Sequence, residues 1–404
     1  MRRVAITGMG VVSSIGNNAG EVLASLREAK SGITAAAEYA ELGFRCQVHG
    51  KPQIDWEAMV DRRAARFLAP GTGYAHIALE QAIADAGLTE TEVSNDRTGL
   101  IVGSGGPSTH AIVEAAEIAR TKGVKRIGPF AVPKAMSSGP SATLSTWFKI
   151  RGLNFSITSA CTTSAHCIGT AYEQVALGKQ ELMFAGGCEE VDWTMSSLFD
   201  AMGAMSTHFN DRPAKASRAY DADRDGFVIA GGAGIVVLEP LDRARARGAR
   251  ILGEIVGYAA NSDGFDMVAP SGEGAARCMR LAIDQAGGRK IDYLNPHGTS
   301  TPIGDAKEME AVRAVFGAAE APLISSTKSL TGHSLGAAGA QEAIYSLLML
   351  TNGFVAESAN IERLDPAFED LPIVRRRLDR PLETVMSNSF GFGGANGCLV
   401  MARV

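Results

Sequence analysis

A cysteine and two histidines are the residues of this sequence best placed to do chemistry. Cys161 lies in a polar turn after the apolar stretch 155–157, and His297 and His333 each lie in a glycine-containing turn after an apolar stretch. A cysteine thiolate is a strong nucleophile, and an imidazole can act as a general acid or donate a hydrogen bond to a developing negative charge. The three side chains therefore predict nucleophilic catalysis.

The position of Cys161 separates it from the other five cysteines. Most cysteines are small buried hydrophobic residues, but this one precedes a helix-like segment whose N-terminus can lower the pKa of a thiol toward neutrality. We expect Cys161 to be alkylated well below pH 8 and faster than the others. Cys167 lies six residues further on and is turned away, so Cys161, His166 and Cys167 form a poor zinc site and no metal is expected.

Two short motifs suggest other enzymes and fail in context. Residues 332–336 match G-x-S-x-G of α/β-hydrolases, but no histidine follows Ser334, as the order of that triad requires. Gly8-x-Gly10-x-x-Ser13 resembles a dinucleotide-binding fingerprint without its third glycine, and Glu21 is too near to be the ribose-binding acid. Neither a hydrolase nor a dinucleotide-binding enzyme is favoured.

Internal repetition indicates how these residues are positioned. Residues 155–178 and 323–353 both run from strand to polar turn to a helix of small residues, and glycine-rich segments follow at 226–239 and 391–401. The segment 250–262 resembles the opening strand and turn at 2–14. We therefore predict two similar halves, residues 1–250 with the cysteine and residues 251–404 with both histidines.

Two helices in this repeat have no polar face. They are predicted at 167–177 and 335–350, and a helix that is apolar on all sides is normally buried. We expect them to lie between sheets in a layered α/β sandwich. Their N-termini would then face the interior, where free N–H groups can serve chemistry.

The composition argues against several classes of protein. With 39 basic and 44 acidic residues the net charge is −5, so no overall positive field attracts nucleic acid. A hydrophobic fraction of 46% argues against disorder, and no apolar run reaches the ~18 residues of a membrane span. Six scattered cysteines do not suggest a disulfide framework. A cytoplasmic protein without a membrane or nucleic-acid partner is expected.

Together the motifs resemble those of β-ketoacyl-acyl carrier protein synthases, over the whole chain from Val4. The motifs, in the order and spacing of that family, are Ser159-Ala160-Cys161, His297-Gly298-Thr299-Ser300-Thr301-Pro302, Lys328, Gly332-His333, Leu335-Gly336-Ala337-Ala338-Gly339 and Gly391-Phe392-Gly393-Gly394. Residues 266–274 and 341–348 are most similar to the synthase I type. The elongating synthase II type is the near alternative.

The resemblance implies a fold and a reaction. The fold is a thiolase-like five-layer αβαβα sandwich of two similar halves, usually a homodimer. The enzyme is an acyltransferase of fatty acid elongation that joins an acyl chain on Cys161 to malonyl-acyl carrier protein, with loss of CO₂. No cofactor is permanently bound, because substrates arrive on the 4′-phosphopantetheine arm of acyl carrier protein.

The resemblance also assigns roles to residues. Cys161 is the nucleophile, His297 and His333 stabilise the enolate formed on decarboxylation, and Lys328 sets the electrostatics around His333. The backbone N–H groups of Cys161 and Phe392 form an oxyanion hole, and the Phe392 ring gates the acyl tunnel. An acid in the apolar helix, Glu342, is expected to be held by this polar network.

Further residues are assigned to the carrier protein. Thr299 and Thr301 match positions that bind pantetheine. Two basic clusters lie where the family docks its acidic partner, and they consist of Arg62, Arg63 and Arg66, and of Lys122, Lys125 and Arg126. A solvated charged face is the plain alternative for each cluster.

The sequence departs from the family pattern at two positions. Ala395 stands where threonine is common, and Pro296 where a small or polar residue is common; both are expected to alter loop stiffness and rates.

Two other classes of protein are alternatives to a synthase. A coenzyme A-dependent thiolase would need a second catalytic cysteine, but Cys398 lies in an apolar, strand-like run. A non-catalytic partner subunit would have no need of Cys161.

Overall fold

A computed structural model describes all 404 residues, which form fourteen strands and sixteen α-helices. The strands are β1 (Val4–Ser13), β2 (Thr34–Ala35), β3 (Val48–His49), β4 (Thr98–Ser104), β5 (Asn154–Phe155), β6 (Leu182–Glu189), β7 (Gly232–Pro240), β8 (Gly253–Ser262), β9 (Tyr293–Asn295), β10 (Leu323–Ile324), β11 (Phe354–Val355), β12 (Leu378–Asp379), β13 (Thr384–Gly391) and β14 (Ala395–Ala402). The helices are α1 (Ala19–Glu28), α2 (Ala37–Glu41), α3 (Trp56–Met59), α4 (Arg62–Ala65), α5 (Pro70–Asp85), α6 (Glu90–Val93), α7 (Thr109–Lys122), α8 (Ala131–Ala135), α9 (Gly139–Phe148), α10 (Thr163–Ala176), α11 (Trp193–Met202), α12 (Leu241–Ala246), α13 (Glu273–Gln285), α14 (Pro302–Phe316), α15 (Lys328–Thr331) and α16 (Ala338–Asn352).

The strand order repeats between the two halves. In the N-terminal half it is β1-β7-β6-β4-β5, and in the C-terminal half it is β8-β14-β13-β9-β10. In each half the first two pairings are antiparallel and the last two are parallel. A bulge falls on the fourth residue of both leading strands, at Thr7 in β1 and at Val256 in β8. The predicted duplication is confirmed.

The two five-stranded sheets are joined at one corner. Residues 4–6 of β1 pair antiparallel with residues 253–255 of β8, so the hydrogen bonding runs through ten strands. The sequence predicts two sheets but gives no indication of this junction. Antiparallel pairing of equivalent strands is what a twofold relation between the halves produces.

The layers follow from the apolar helices. α10 and α16 pack against each other between the sheets, α5 covers the N-terminal sheet, and α13 with α14 covers the C-terminal sheet. Residues 338–350 of α16 are all buried, as its lack of a polar face predicts. The αβαβα sandwich is thus confirmed. None of the helices combines the length and the apolar sequence that a membrane span requires.

The half boundary predicted at residue 250 falls in the connection between α12 and β8, and it stays a prediction.

Glycines in β1 let α5 approach the sheet closely. A Cβ at Gly10 would lie 1.8 Å from the carbonyl oxygen of Ala78, and one at Gly8 would lie 2.7 Å from that of Ala82. Backbone atoms on both sides leave no flexible group to move aside. The register of α5 on the sheet, and with it the N-terminal core, depends on these positions.

We predict that Gly10→Ala lowers the free energy of unfolding by about 1–3 kcal/mol or more, because the added methyl group overpacks this contact. Gly20→Ala is the matched control: Gly20 is exposed in α1, and alanine there is neutral or stabilising by up to ~1 kcal/mol. Denaturant unfolding measures both. Equal stabilities of the two variants would contradict the proposed contact.

Candidate active site

A strained turn presents Cys161. Ala160, directly before it, has a left-handed φ of 51°, and the hydroxyl of Thr163 accepts a hydrogen bond of 2.8 Å from the Ser159 N–H. α10 begins at Thr163, two residues beyond the cysteine. Strained backbone of this kind persists where the surroundings enforce it, and here it points an 8% exposed thiol into a cavity.

Both histidines are held through their backbone. The Glu308 carboxylate on α14 accepts hydrogen bonds of 2.8 Å from the N–H groups of His297 and Gly298. His333 donates its N–H to the carbonyl of Val228 at 2.7 Å and accepts from the N–H of Ala230 at 2.9 Å. The C-terminal half thus supplies both rings to the cavity that Cys161 enters from the N-terminal half.

The three predicted residues meet at the base of a cavity of about 440 Å³. One nitrogen of each ring and the Cys161 sulfur all lie within 4.8 Å of one another. The His297 and His333 rings are perpendicular, with centroids 5.1 Å apart. A thiol and two imidazoles are also ligands that Zn²⁺ accepts, so the expected absence of a metal stays a prediction.

Both imidazoles are neutral at physiological pH. Burial lowers the pKa of His297 and of His333 well below the ordinary value, and the positive charge of Lys328 lowers both further. The Nδ1 atoms of both rings are sealed and have no hydrogen-bond partner, which leaves Nε2 as the accessible nitrogen of each ring. Two neutral rings can donate hydrogen bonds to one oxygen without repelling each other.

Lys328 lies behind the histidines in an ion pair. Its Nζ donates a hydrogen bond of 2.5 Å to Glu342 Oε1, and each side chain is 2% exposed. Burial raises the pKa of Glu342 to about 7, while Lys328 acts to lower it. The expected polar network around Glu342 is therefore present, although neither residue lines the cavity.

The expectation of a low thiol pKa is wrong. Burial raises the pKa of Cys161 to about 12, against the lowering effect of Lys328. The charge of Glu189 raises it further, and the N–H groups of Cys161 and Phe392 lower it. Desolvation of the thiolate therefore outweighs all nearby donors, and the resting side chain is a thiol.

The same two N–H groups form a candidate oxyanion hole. They lie close enough to the Cys161 sulfur to act on its pKa. A Cβ at Gly391 would lie 3.2 Å from the Cys161 nitrogen, so the glycine loop passes directly over the nucleophile. The Phe392 ring is 37% exposed, lines the cavity and lies 6.4 Å from the Phe199 ring.

The predicted pantetheine residues line the same cavity. The hydroxyls of Thr299 and Thr301 are 3.0 Å apart, and a Cβ at Gly304 would lie 2.4 Å from the Thr301 hydroxyl. The loop reaches the surface at Pro302 and Ile303, which are exposed. A path therefore leads from solvent past both hydroxyls to Cys161.

The two basic clusters form neighbouring exposed patches. All six predicted side chains are exposed: Arg62, Arg63, Arg66, Lys122, Lys125 and Arg126. Arg66 lies over the Phe130 ring at 5.6 Å, and Phe67 contacts the same ring edge-on at 5.0 Å. Because Phe130 follows the second cluster by four residues, these contacts bring the clusters together. Arg63 is paired with Asp61 at 2.9 Å, which reduces its free charge.

The departures from the family pattern lie beside the site. Pro296 is buried directly before His297, and its peptide bond is trans. The Ala395 carbonyl accepts a hydrogen bond of 2.8 Å from the Thr162 hydroxyl, which ties the glycine loop to the start of α10. Their effects on rate stay predictions.

Two acids of the site were not predicted. Glu308 holds the His297 turn, and Glu189, at the end of β6, accepts from the N–H groups of Gly105 and Gly336. Both are buried. An acid within a polar helix or at a strand end gives no periodic signal, so only the fold identifies them.

We predict that the alkylation rate of Cys161 by iodoacetamide still rises between pH 8 and pH 10, because the thiol pKa is raised. Lys328→Ala removes the charge that lowers this pKa and slows the reaction at each pH. Peptide mass spectrometry gives the rates, with buried Cys167 as the internal reference. A plateau below pH 8 would contradict the prediction.

Comparison with known proteins agrees with the geometry. Residues 1–244 match the model for the beta-ketoacyl synthase N-terminal domain, and residues 252–362 match that for the C-terminal domain. The chain is 59% identical over 406 aligned residues to 3-oxoacyl-[acyl-carrier-protein] synthase 1 of Escherichia coli (strain K12), with 100% of both covered.

Two solved structures share the fold over the whole chain. A beta-ketoacyl synthase from Burkholderia phymatum has a TM-score of 0.93 at 35% identity, with 100% of both chains covered. AntDE, a type II polyketide ketosynthase solved with its acyl-carrier protein AntF, has a TM-score of 0.89 at 27% identity, with 100% of this chain and 99% of that one covered. Both domain models match, and the chain is 59% identical over its full length to a named synthase. This chain therefore belongs to the β-ketoacyl synthase family.

Proposed function

We propose that the protein elongates fatty acyl chains by decarboxylating Claisen condensation, as a 3-oxoacyl-acyl carrier protein synthase of type I. The observation that carries the proposal is the cluster of one thiol and two neutral imidazoles, within 4.8 Å of one another, in a cavity that opens past two threonine hydroxyls. The 59% identity to synthase 1 over the full length of the chain supports type I.

The first step is acyl transfer. The Cys161 sulfur attacks the thioester carbonyl of an acyl carrier protein, and its proton leaves with the departing pantetheine thiolate. The tetrahedral oxyanion accepts hydrogen bonds from the N–H groups of Cys161 and Phe392, and the loss of one such donor costs ~10²–10³ in rate. Because the resting side chain is a thiol, its proton must leave during attack.

The second and third steps need the histidines. In malonyl carrier protein the bond to the carboxylate breaks, CO₂ departs, and the electron pair forms an enolate. Neutral His297 and His333 donate hydrogen bonds to the thioester oxygen that becomes negative. The carbanion then attacks the acyl group on Cys161, and the sulfur leaves as a thiolate and takes up one proton from solvent. The product is a 3-oxoacyl chain two carbons longer.

The substrates are delivered by acyl carrier protein, whose pantetheine arm lies along Thr299 and Thr301. The exposed edge strand β5, with Asn154 and Phe155 both exposed, supports pairing with a second copy of the chain in a homodimer. The Phe392 ring closes over the acyl chain from the glycine loop.

Other functions fit less well. A synthase II-type elongating enzyme would use the same residues and differ in the acyl chains accepted. For a thiolase, Cys398 would have to be the second catalytic cysteine, but it is 0% exposed within β14 and does not line the cavity. A non-catalytic subunit would leave the thiol and both neutral imidazoles without a use.

Acyl transfer and decarboxylation are assigned to different residues, and this assignment can be tested directly. We predict that Cys161→Ala abolishes condensation but still releases CO₂ from malonyl carrier protein, because decarboxylation needs only the donors to the enolate. His297→Ala and His333→Ala lose decarboxylation by on the order of 10²–10³-fold, and at least one of them still forms the acyl-enzyme. Lys328→Ala impairs both steps.

Radiolabelled CO₂ release and mass spectrometry of the acyl adduct measure the two half-reactions. Cys167→Ala is the matched control, since this cysteine lies in α10, directly after the Cys161 turn, and does not line the cavity. Loss of decarboxylation in Cys161→Ala as complete as in the histidine variants, with the fold intact, would refute this mechanism.

We predict an electrostatic contribution to carrier-protein docking. Reversing charges with Arg62→Glu and Arg66→Glu, or with Lys125→Glu and Arg126→Glu, raises KM for the carrier protein several-fold and leaves kcat nearly unchanged. Raising the ionic strength from about 0.1 to about 1 M shortens the Debye length from about 10 to about 3 Å and raises the wild-type KM.

The control for charge reversal lies elsewhere on the chain. Arg375→Glu and Arg376→Glu change two exposed arginines next to β12, remote in sequence from both clusters. Steady-state kinetics with acyl carrier protein compares the pairs. An unchanged KM after reversal in both clusters, or an equal rise in the control, would exclude docking at these patches.

A further inference from the structure

One buried carboxylate connects the two halves beside the nucleophile. Glu189, 3% exposed at the end of β6, accepts hydrogen bonds from the Ser104 hydroxyl at 2.9 Å, the Gly105 N–H at 2.9 Å and the Gly336 N–H at 3.0 Å. Ser104 and Gly105 belong to the N-terminal half, and Gly336 lies three residues after His333. The carboxylate therefore bridges the cysteine half and the histidine half.

The backbones that it joins are in direct contact. A Cβ at Gly336 would lie 2.1 Å from the Gly105 nitrogen, and one at Gly105 would lie 2.5 Å from Glu189 Oε2. Leu335, between His333 and Gly336, has a left-handed φ of 48°. Such a conformation persists only where the surroundings hold it. Here the N–H of Gly336, directly after Leu335, donates to the Glu189 carboxylate and fixes this end of the segment.

The same carboxylate acts on the nucleophile. The charged groups that act on Cys161 are Lys328, which lowers the thiol pKa, and Glu189, which raises it, while both histidines are neutral. Burial raises the pKa of Glu189 to about 7, Glu190 raises it further, and its three hydrogen bonds oppose this. Above neutral pH the Glu189 carboxylate is therefore mainly an anion, and its effect on the thiol pKa is opposite in sign to that of Lys328.

We propose that Glu189 is a positioning residue: its carboxylate ties the His333 segment, through Gly336, to Ser104 and Gly105 at the end of β4. Its charge has a second, separable effect on Cys161. This proposal rests on the proposed function for the role of His333 in decarboxylation. Its electrostatic part concerns the chain alone and needs no substrate.

Two substitutions separate the effects. Glu189→Asp keeps the charge but is one methylene too short to reach all three donors. Glu189→Gln keeps the length but removes the charge. Each purified protein is assayed for CO₂ release from malonyl carrier protein and for iodoacetamide alkylation of Cys161 at pH 9, with thermal unfolding as the check on folding.

We expect Glu189→Asp to lose decarboxylation by on the order of 10–100-fold, because the His333 segment is displaced, while its alkylation rate stays within about twofold of wild type. We expect Glu189→Gln to be alkylated roughly three- to tenfold faster, because the thiol pKa falls. Ser104→Ala removes one of the three donors and keeps the charge, so it loses less decarboxylation than Glu189→Asp and keeps the wild-type alkylation rate.

A residue with only a structural role would change both readouts together in both variants, and that result overturns the proposal. Unchanged decarboxylation in Glu189→Asp also overturns it. Alkylation of Glu189→Gln at or below the wild-type rate excludes the electrostatic effect on Cys161. Absence of CO₂ release from the wild-type protein is a failure of the proposed function instead, and the alkylation comparison then still decides the electrostatic effect. If Glu189→Gln does not fold, the Glu189→Asp assays decide.

Discussion

The ion pair between buried Lys328 and Glu342 is the interaction on which the site depends. Lys328 is 1% exposed, and a cation there requires a partner, which Glu342 supplies from the buried helix α16. The same charge lowers the pKa of His297, His333 and Cys161. Together with burial, this charge keeps two imidazoles neutral as hydrogen-bond donors, and it lowers the thiol pKa without overcoming the effect of burial.

Duplication explains why these groups meet. Each half places a buried helix between the sheets, so the starts of α10 and α16 lie side by side at the centre of the molecule. The N-terminal copy carries Cys161 before its helix, and the C-terminal copy carries Lys328 and His333 before its own. Two related turns have thus diverged: one presents the thiol, and the other presents the lysine and an imidazole.

The sequence predicts the fold and most of the site because both have local signals. Apolar helices, glycine turns and the repeated segments establish the layers, and Cys161, His297 and His333 stand out by their turns. The thiol pKa could not be predicted, since it depends on how far burial outweighs Lys328. Glu308 was missed for a related reason: its partners are backbone N–H groups that only the tertiary fold brings within 2.8 Å.

A nucleophile that rests as a thiol is consistent with catalysis in a desolvated site. Because the resting side chain is a thiol, the resting enzyme contains no buried thiolate, and in the proposed acyl transfer the negative charge passes to the substrate oxyanion and the leaving sulfur. In the proposed mechanism the N–H groups of Cys161 and Phe392, which lie close enough to act on the thiol pKa, donate to the oxygen where charge develops. Stabilisation is therefore greater in the transition state than in the ground state, and that difference, more than a low thiol pKa, is what accelerates the reaction.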